Sequence, residues 1–379
     1  MNHYRKTKLL MLADPNPSHT IKWASSLSAR NVDVRIFSLT EYDESNYKNY
    51  PEIKITSLGL SIDIQQNGVN AFDKYVYLKA VPIVKKIVED FKPDILHAHY
   101  ASSYGLLGAL TFFQPYIISV WGTDVLQFPY DSFINSSILK FNFKRAKEIL
   151  ATGKYLAEET SRFSNKKVTI TPFGVDTNIF KPMQKKNEFE DFLVIGVIRR
   201  LEENYGIERL IRAFKLVLEK FPDKKLKLLI VGDGSLKNHL INLTHELLIS
   251  DDVVFTGYIE YEKIVEYHNS CDISVVPSIR ESFGVSALEA SACGKPVIVT
   301  NAGGLPETVI DGSTGLIVEK DNIKQLASAL EKLIIDEQLR KTFGENGREM
   351  VKQKYEWNNC VELMLNIYNN ILKNGDINC

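Results

Sequence analysis

Asp272-Ile-Ser-Val-Val-Pro-Ser-Ile-Arg-Glu-Ser-Phe-Gly-Val-Ser-Ala-Leu-Glu-Ala-Ser-Ala-Cys-Gly-Lys-Pro-Val-Ile-Val-Thr300 is the stretch from which the fold can be read. The β-branched run up to Pro277 reads as a buried strand, the following residues as a loop, and Val285 to Cys293 as a helix. Gly294-Lys295-Pro296 reads as a turn and Val297–Thr300 as a second buried strand. Strand, helix and strand, with apolar runs at both ends, form the repeating unit of a parallel sheet covered on both faces. In that unit Glu281 sits on the loop at the carboxyl end of a strand. Ser282, Phe283, Gly284 and Val285 lead into the helix, and Glu289 lies nearly two turns in. A helix start with free N–H groups and a favourable dipole is an anion site. A carboxylate on each side can accept hydrogen bonds from hydroxyls, so the pattern suits a phosphate flanked by sugars. The competing reading of the two glutamates is simple capping, because negative charge suits a helix start in any protein.

The same alternation extends outward in both directions. Leu9–Leu12, Val32–Phe37, Pro93–His97, Ile117–Val120 and Val168–Thr171 read as strands, with helices over 20–30 and 75–90 between them. The polar connector 181–188 reads as an interdomain linker. Beyond it Phe192–Gly196, Lys227–Val231, Val253–Phe255, Ile273–Val276 and Val297–Val299 are strands, and Ile207–Lys220 is a helix. At 379 residues the chain exceeds one ordinary core. The expected fold class is therefore α/β: two doubly wound Rossmann-like domains facing a cleft, residues 1–178 and 179–357. The last segment, 358–379, is expected to cross back to the first domain. Ligands bind such sheets at the carboxyl ends of the strands.

Two further segments carry a family likeness. Pro277–Gly284 with Ala290–Glu307, and Ile170-Thr-Pro-Phe-Gly-Val-Asp-Thr-Asn-Ile-Phe-Lys-Pro182, resemble the signatures of the family-4 retaining glycosyltransferases (glycosyl transferases group 1), which have the B-type two-domain fold. The resemblance implies transfer of a sugar from a nucleotide-sugar donor, UDP-linked by expectation, to a glycan or lipid-linked acceptor in bacterial polysaccharide or glycoconjugate assembly. It implies that Glu281 holds the transferred sugar and Glu289 the donor ribose, and that neither metal nor cofactor is needed. A cation after the first strand of the second domain would stabilise the leaving diphosphate. Arg199 and Arg200 are the candidates, with the spacing favouring Arg200. Where relatives place a lysine shortly afterwards, this chain has Asn204 and Tyr205. Gly232 and Gly234 are expected to let the backbone approach the donor, or else to make a plain turn. Tyr258 and Ile259 match the loop that meets the nucleotide base.

In the first domain the likeness points to acceptor contacts from His19, His99, Trp121 and Asp124. Trp121 stands where many relatives have histidine, and reads equally as a sugar-stacking or a core residue. Asp124 reads as a hydroxyl binder or a helix cap. His97 and His99, two apart on a strand, are expected on opposite faces, which speaks against a shared metal. Two alternatives remain open: a non-catalytic, transferase-like partner subunit, and a two-lobed sugar-binding protein.

Composition narrows the rest. Lys plus Arg total 46 against 47 acids, a net charge of −1, which gives no global pull toward nucleic acid. Cys271, Cys293, Cys360 and Cys379 have no CxxC spacing and read as reduced thiols. The apolar run after Met1 is too short for a signal peptide, so a cytoplasmic location is expected. The uncharged stretch 101–123 is broken by Gln114-Pro115 and reads as helix, turn and strand rather than a membrane span. Over 138–150, Leu139, Phe143, Ala146 and Leu150 share one helical face, with Lys140, Lys144 and Lys147 beside it. That pattern sets the expectation of a peripheral contact with the inner face of a membrane.

Overall fold

The computed structural model describes residues 5–61 and 71–375. The expectations concerning the first four residues and Cys379 lie outside the described residues. The chain divides into two compact units, Met1–Pro172 with Cys360–Cys379, and Phe173–Asn359. The divisions expected from the sequence are 178/179 and 357/358. The connector 181–188 falls inside the second unit. It is tied there by the Lys185 ammonium, 2.6 Å from the Asp272 carboxylate, and by the Met183 N–H donating to the Asn269 side-chain oxygen at 2.7 Å.

The first unit is built on seven parallel strands: β1 (Thr7–Leu12), β2 (Val32–Thr40), β3 (Lys54–Leu60), β4 (Ile95–His99), β5 (Tyr116–Val120), β6 (Glu148–Ala151) and β7 (Val168–Ile170), in the order β3-β2-β1-β4-β5-β6-β7. The order reverses between β1 and β4. Strands β1, β4 and β5 are almost wholly buried and rich in Leu, Ile and Val, as strands covered on both faces must be. The helix Trp357–Gly375 contributes Tyr368, which is buried against β4. It also contributes Glu362, which pairs with Arg30 at 3.0 Å.

The second unit has six parallel strands: β8 (Leu193–Ile198), β9 (Leu226–Val231), β10 (Val253–Gly257), β11 (Ile273–Val276), β12 (Val297–Thr300) and β13 (Gly315–Val318), in the order β10-β9-β8-β11-β12-β13. Here the reversal lies between β8 and β11. The helix Ile207–Lys220 turns Ile207, Leu210, Ile211, Phe214 and Val217 inward at helical spacing, closing one face of the sheet. Each unit thus has the doubly wound Rossmann-like organisation.

One helical expectation is corrected. The helix runs Phe133–Arg145, Ala146 is extended, and Glu148–Ala151 is strand β6, so Leu150 belongs to the sheet. Leu139, Phe143, Ala146 and Leu150 are all buried within the first unit, so that face is not free to rest on a lipid surface. The exposed apolar side chains lie at the other end, at Tyr130, Phe133 and Ile134. Among the described residues no helix is long and apolar enough to cross a membrane.

Candidate functional site

In the second unit the two strands flanking the reversal deliver the decisive loops. From β8 the chain passes directly into Arg199 and Arg200; from β11 it passes through Pro277 to Glu281 and into the helix Val285–Ala292. The two loops are hydrogen-bonded to each other, since the N–H groups of Ile279 and Arg280 donate to the Asn204 carbonyl at 2.8 and 3.3 Å. The Ser286 hydroxyl donates to the Ile198 carbonyl at 3.1 Å, fixing the helix start against the end of β8. Gly284, immediately before that helix, has φ +103°, a conformation that side-chain-bearing residues rarely adopt. The first turn of the helix carries no acid. The N–H groups of Phe283, Gly284 and Val285 find no acceptor among the described residues.

Glu281 stands on the loop before this helix start, and Glu289 lies within the helix itself. Glu281 accepts a charge-assisted hydrogen bond from the Arg199 guanidinium, with side chains only 15% (Arg199) and 11% (Glu281) exposed. Arg199 lies over the ring of Tyr205, its carbon 4.2 Å from the centroid, a geometry suited to cation–π attraction. Its Nε is buried without a partner among the described residues. Arg200, which the spacing favoured, has a side chain 73% exposed and 3.7 Å from Glu202. Of the two arginines, Arg199 is the one held against Glu281. Spacing counts residues from the strand but says nothing of which way the chain turns as it leaves the sheet. Tyr205, noted in the sequence only as a departure, is the residue that holds Arg199.

Glu289 is nearly buried. It accepts a 3.4 Å hydrogen bond from the Tyr261 hydroxyl and has the His268 ring nitrogen Nε2 at 3.4 Å. Neither neighbour was singled out in the sequence. Gly232 and Gly234 lie against the loop that follows β8. A Cβ on Gly232 would meet the Arg199 carbonyl oxygen at 1.9 Å, and one on Gly234 would meet the Leu201 carbonyl oxygen at 2.5 Å. These glycines admit the close approach of the Arg199–Leu201 backbone. Tyr258 is exposed at the end of β10, while Ile259 packs on the apolar cluster around Val231.

In the first unit, His19, His99 and Trp121 gather at the carboxyl ends of β1, β4 and β5. Ring centroids are 6.3 Å apart for His19–Trp121 and 5.1 Å for His99–Trp121. His97 and His99 share a face, with centroids 4.4 Å apart. The expectation of opposite faces fails because strand side chains repeat every two residues. His97 is fully engaged, Nδ1 with the Tyr368 hydroxyl at 2.7 Å and Nε2 with the Ser119 hydroxyl at 2.8 Å. His99 is buried with neither ring nitrogen partnered among the described residues. Burial pushes its pKa down to about 3. Among the described residues no group of three or more His, Cys, Asp or Glu side chains is arranged to hold a metal.

Asp124 is corrected too. Its carboxylate is buried and committed to the backbone: it accepts from the N–H groups of Ala101 at 2.7 Å, Gly122 at 2.7 Å and Trp121 at 3.2 Å. Desolvation raises its pKa to about 6 against the lowering effect of those bonds. Asp124 therefore clamps the loops after β4 and β5 and sets the position of Trp121. Cys271 and Cys293 are buried thiols raised to about 12, mainly by desolvation, and are not nucleophiles.

Both halves of the chain resemble known proteins. The profile for "Glycosyl transferases group 1" matches residues 178–350, and that for "Glycosyl transferase 4-like" matches residues 8–153. The protein named uncharacterized glycosyltransferase MJ1178 of Methanocaldococcus jannaschii is 29% identical over 89% of this chain and 90% of its own length. The capsular polysaccharide biosynthesis glycosyltransferase CapM of Staphylococcus aureus is 33% identical over 61% of this chain and 63% of its own. Among solved structures, sucrose-phosphate synthase of Thermosynechococcus elongatus superposes with a TM-score of 0.79 at 21% identity, covering 97% of this chain and 100% of that one. The Anabaena protein HepE in complex with UDP-glucose superposes with a TM-score of 0.77 at 17% identity, covering 96% of this chain and 99% of that one. These likenesses establish the B-type fold, and the chain belongs to the group 1 glycosyltransferase family.

Proposed function

We propose that the chain is a retaining glycosyltransferase that moves a sugar from a UDP-linked donor to a glycan or lipid-linked acceptor in surface-polysaccharide or glycoconjugate assembly. One observation carries the reading. A helix start with unclaimed N–H groups lies at the reversal point of a Rossmann-like sheet, with Glu281 on the loop before it and Glu289 in the helix itself. Anions bind at such helix starts, and ligands of doubly wound sheets bind at such reversal points. Glu289 is assigned to the ribose and Glu281 to the hydroxyls of the transferred sugar. Arg199, held on Tyr205, supplies the charge for the departing diphosphate. Its guanidinium exchanges Glu281 for phosphate oxygens as the donor enters, leaving Glu281 to the sugar. Such stabilisation counts most where it grows toward the transition state. The reaction so assigned uses no metal or organic cofactor. The acceptor hydroxyl attacks from the face the diphosphate leaves, and a leaving phosphate oxygen takes its proton. HepE, whose structure holds UDP-glucose, supports UDP as the first nucleotide to test.

His19, His99 and Trp121 are assigned to the acceptor, with the unpartnered imidazole of His99 as the hydroxyl contact. Contact with the inner face of a membrane is retained as part of the proposal, but moved from 138–150 to Tyr130, Phe133 and Ile134, beside the exposed Lys140 and Lys144. Phe133, 86% exposed, suits insertion at a lipid interface. Incubation with a panel of nucleotide-sugars, following nucleotide release, tests the central reading. Release that Glu281→Gln lowers by about 10²-fold or more, the scale of one lost transition-state contact, supports it. No release from any donor and acceptor pair favours the non-catalytic subunit.

A further inference from the structure

The surroundings of Glu289 pose a physical problem. Its side chain is 9% exposed, yet the carboxylate accepts only one hydrogen bond among the described residues, the 3.4 Å bond from Tyr261. A buried carboxylate has about four acceptor positions and is costly to leave underused. His268, on the helix Ile264–Ser270 packed beside it, is fully buried, with Nε2 3.4 Å from Glu289 Oε2. Neither nitrogen of that ring completes an aligned hydrogen bond among the described residues. Phe180 backs both neighbours, its ring centroid 5.9 Å from that of His268 and 5.9 Å from that of Tyr261. A buried imidazole with neither nitrogen bonded, at near-bonding distance from a carboxylate that holds one long hydrogen bond, describes a site that tightens when a ligand arrives.

We propose that His268 is a positioning residue for Glu289. With its proton on Nε2, the imidazole turns one carboxylate oxygen toward itself, so that the remaining acceptor positions receive two neighbouring hydroxyls of a nucleotide ribose. Tyr261 steadies the other oxygen. The polar pair behind the glutamate thereby becomes a determinant of discrimination between ribonucleotides and 2′-deoxyribonucleotides. This rests on the donor-site reading given above.

The test is a ratio of affinities. UDP and 2′-deoxy-UDP are titrated calorimetrically into the whole chain, together with GDP, ADP and their 2′-deoxy forms; the tightest-binding pair is then followed. The unaltered chain is expected to prefer the ribonucleotide by about tenfold, the scale of one hydrogen bond to a charged acceptor. His268→Leu is expected to bring the two affinities together. His268→Gln, whose amide N–H still reaches the carboxylate, keeps most of the preference. A purely structural histidine would, when replaced, lower thermal stability and weaken both nucleotides equally. A His268→Leu protein that keeps the original ratio therefore overturns the proposal while leaving the donor site standing. If that variant does not fold, His268→Asn, one methylene too short to reach Glu289, takes its place under the same criterion. Failure of the unaltered chain to bind any of these nucleotides removes the donor-site reading and this proposal together.

Discussion

Replacing Arg199 and Arg200 in turn separates the structure from the spacing of the sequence. Arg199→Met takes the guanidinium off the Tyr205 ring and leaves the Glu281 carboxylate alone at 11% exposure. Removing one partner of a buried pair costs about 3–5 kcal/mol. The residual exposure lowers that to about 2–3 kcal/mol, and the lost cation–π contact restores roughly 0.5–1 kcal/mol. The expected total is about 3 kcal/mol, or about 6–12 °C in the melting temperature for a domain of this size. Arg200→Met, whose side chain is 73% exposed beside Glu202, should change stability by less than about 0.5 kcal/mol. Adding Glu281→Gln to Arg199→Met should recover most of the loss, because the stranded charge is gone. Differential scanning calorimetry of the whole chain reads all four proteins. Equal, small effects from both arginines would refute the assignment. So would a double variant less stable than Arg199→Met alone.

Other expectations follow from the first unit. Asp124→Ala strands the N–H groups of Ala101, Trp121 and Gly122 and should cost about 3 kcal/mol, read as a lower denaturation midpoint. It should also weaken acceptor use more than donor binding, because Trp121 loses its support; an effect confined to donor affinity would contradict that. His99 is held down to about 3 from an ordinary 6.5, so its contribution is complete above pH 6.5 and is lost as pH falls from there toward 3. By pH 5 the unaltered chain should lose about 2 kcal/mol relative to His99→Phe. Parallel melting profiles of the two proteins against pH would sink this. Phe133→Ser combined with Ile134→Ser should reduce sedimentation with vesicles containing anionic lipid while leaving transfer to a soluble acceptor intact.

The doubly wound class and the helix after β11 were legible because buried parallel strands and helix starts leave local marks, although the strand order, β3 and β13 were not read. The apolar runs at Leu9, Ile117, Phe192 and Val297 each became a strand, and Ile207–Lys220 formed a helix with the expected bounds. Strand β6 was missed because Glu148–Ala151 follows a helix without any breaker, and its apolar residues continue the helical spacing by coincidence. Glu281 and Glu289 were legible because both lie within one βα unit, where distance along the chain fixes position in space. Arg199, Asp124 and His268 were harder. What each does depends on partners remote in sequence: Glu281 for Arg199, Ala101 for Asp124, and Glu289 for His268. A one-dimensional pattern does not encode which carbonyls and N–H groups will meet a buried side chain.

The most direct measurement is a crystal structure of the chain with UDP bound. The diphosphate is expected within about 3 Å of the N–H groups at Gly284 and Val285, with the ribose hydroxyls on Glu289 and the Arg199 guanidinium moved from Glu281 to a phosphate oxygen. A diphosphate bound elsewhere, with those N–H groups still unclaimed and Arg199 still on Glu281, would contradict it.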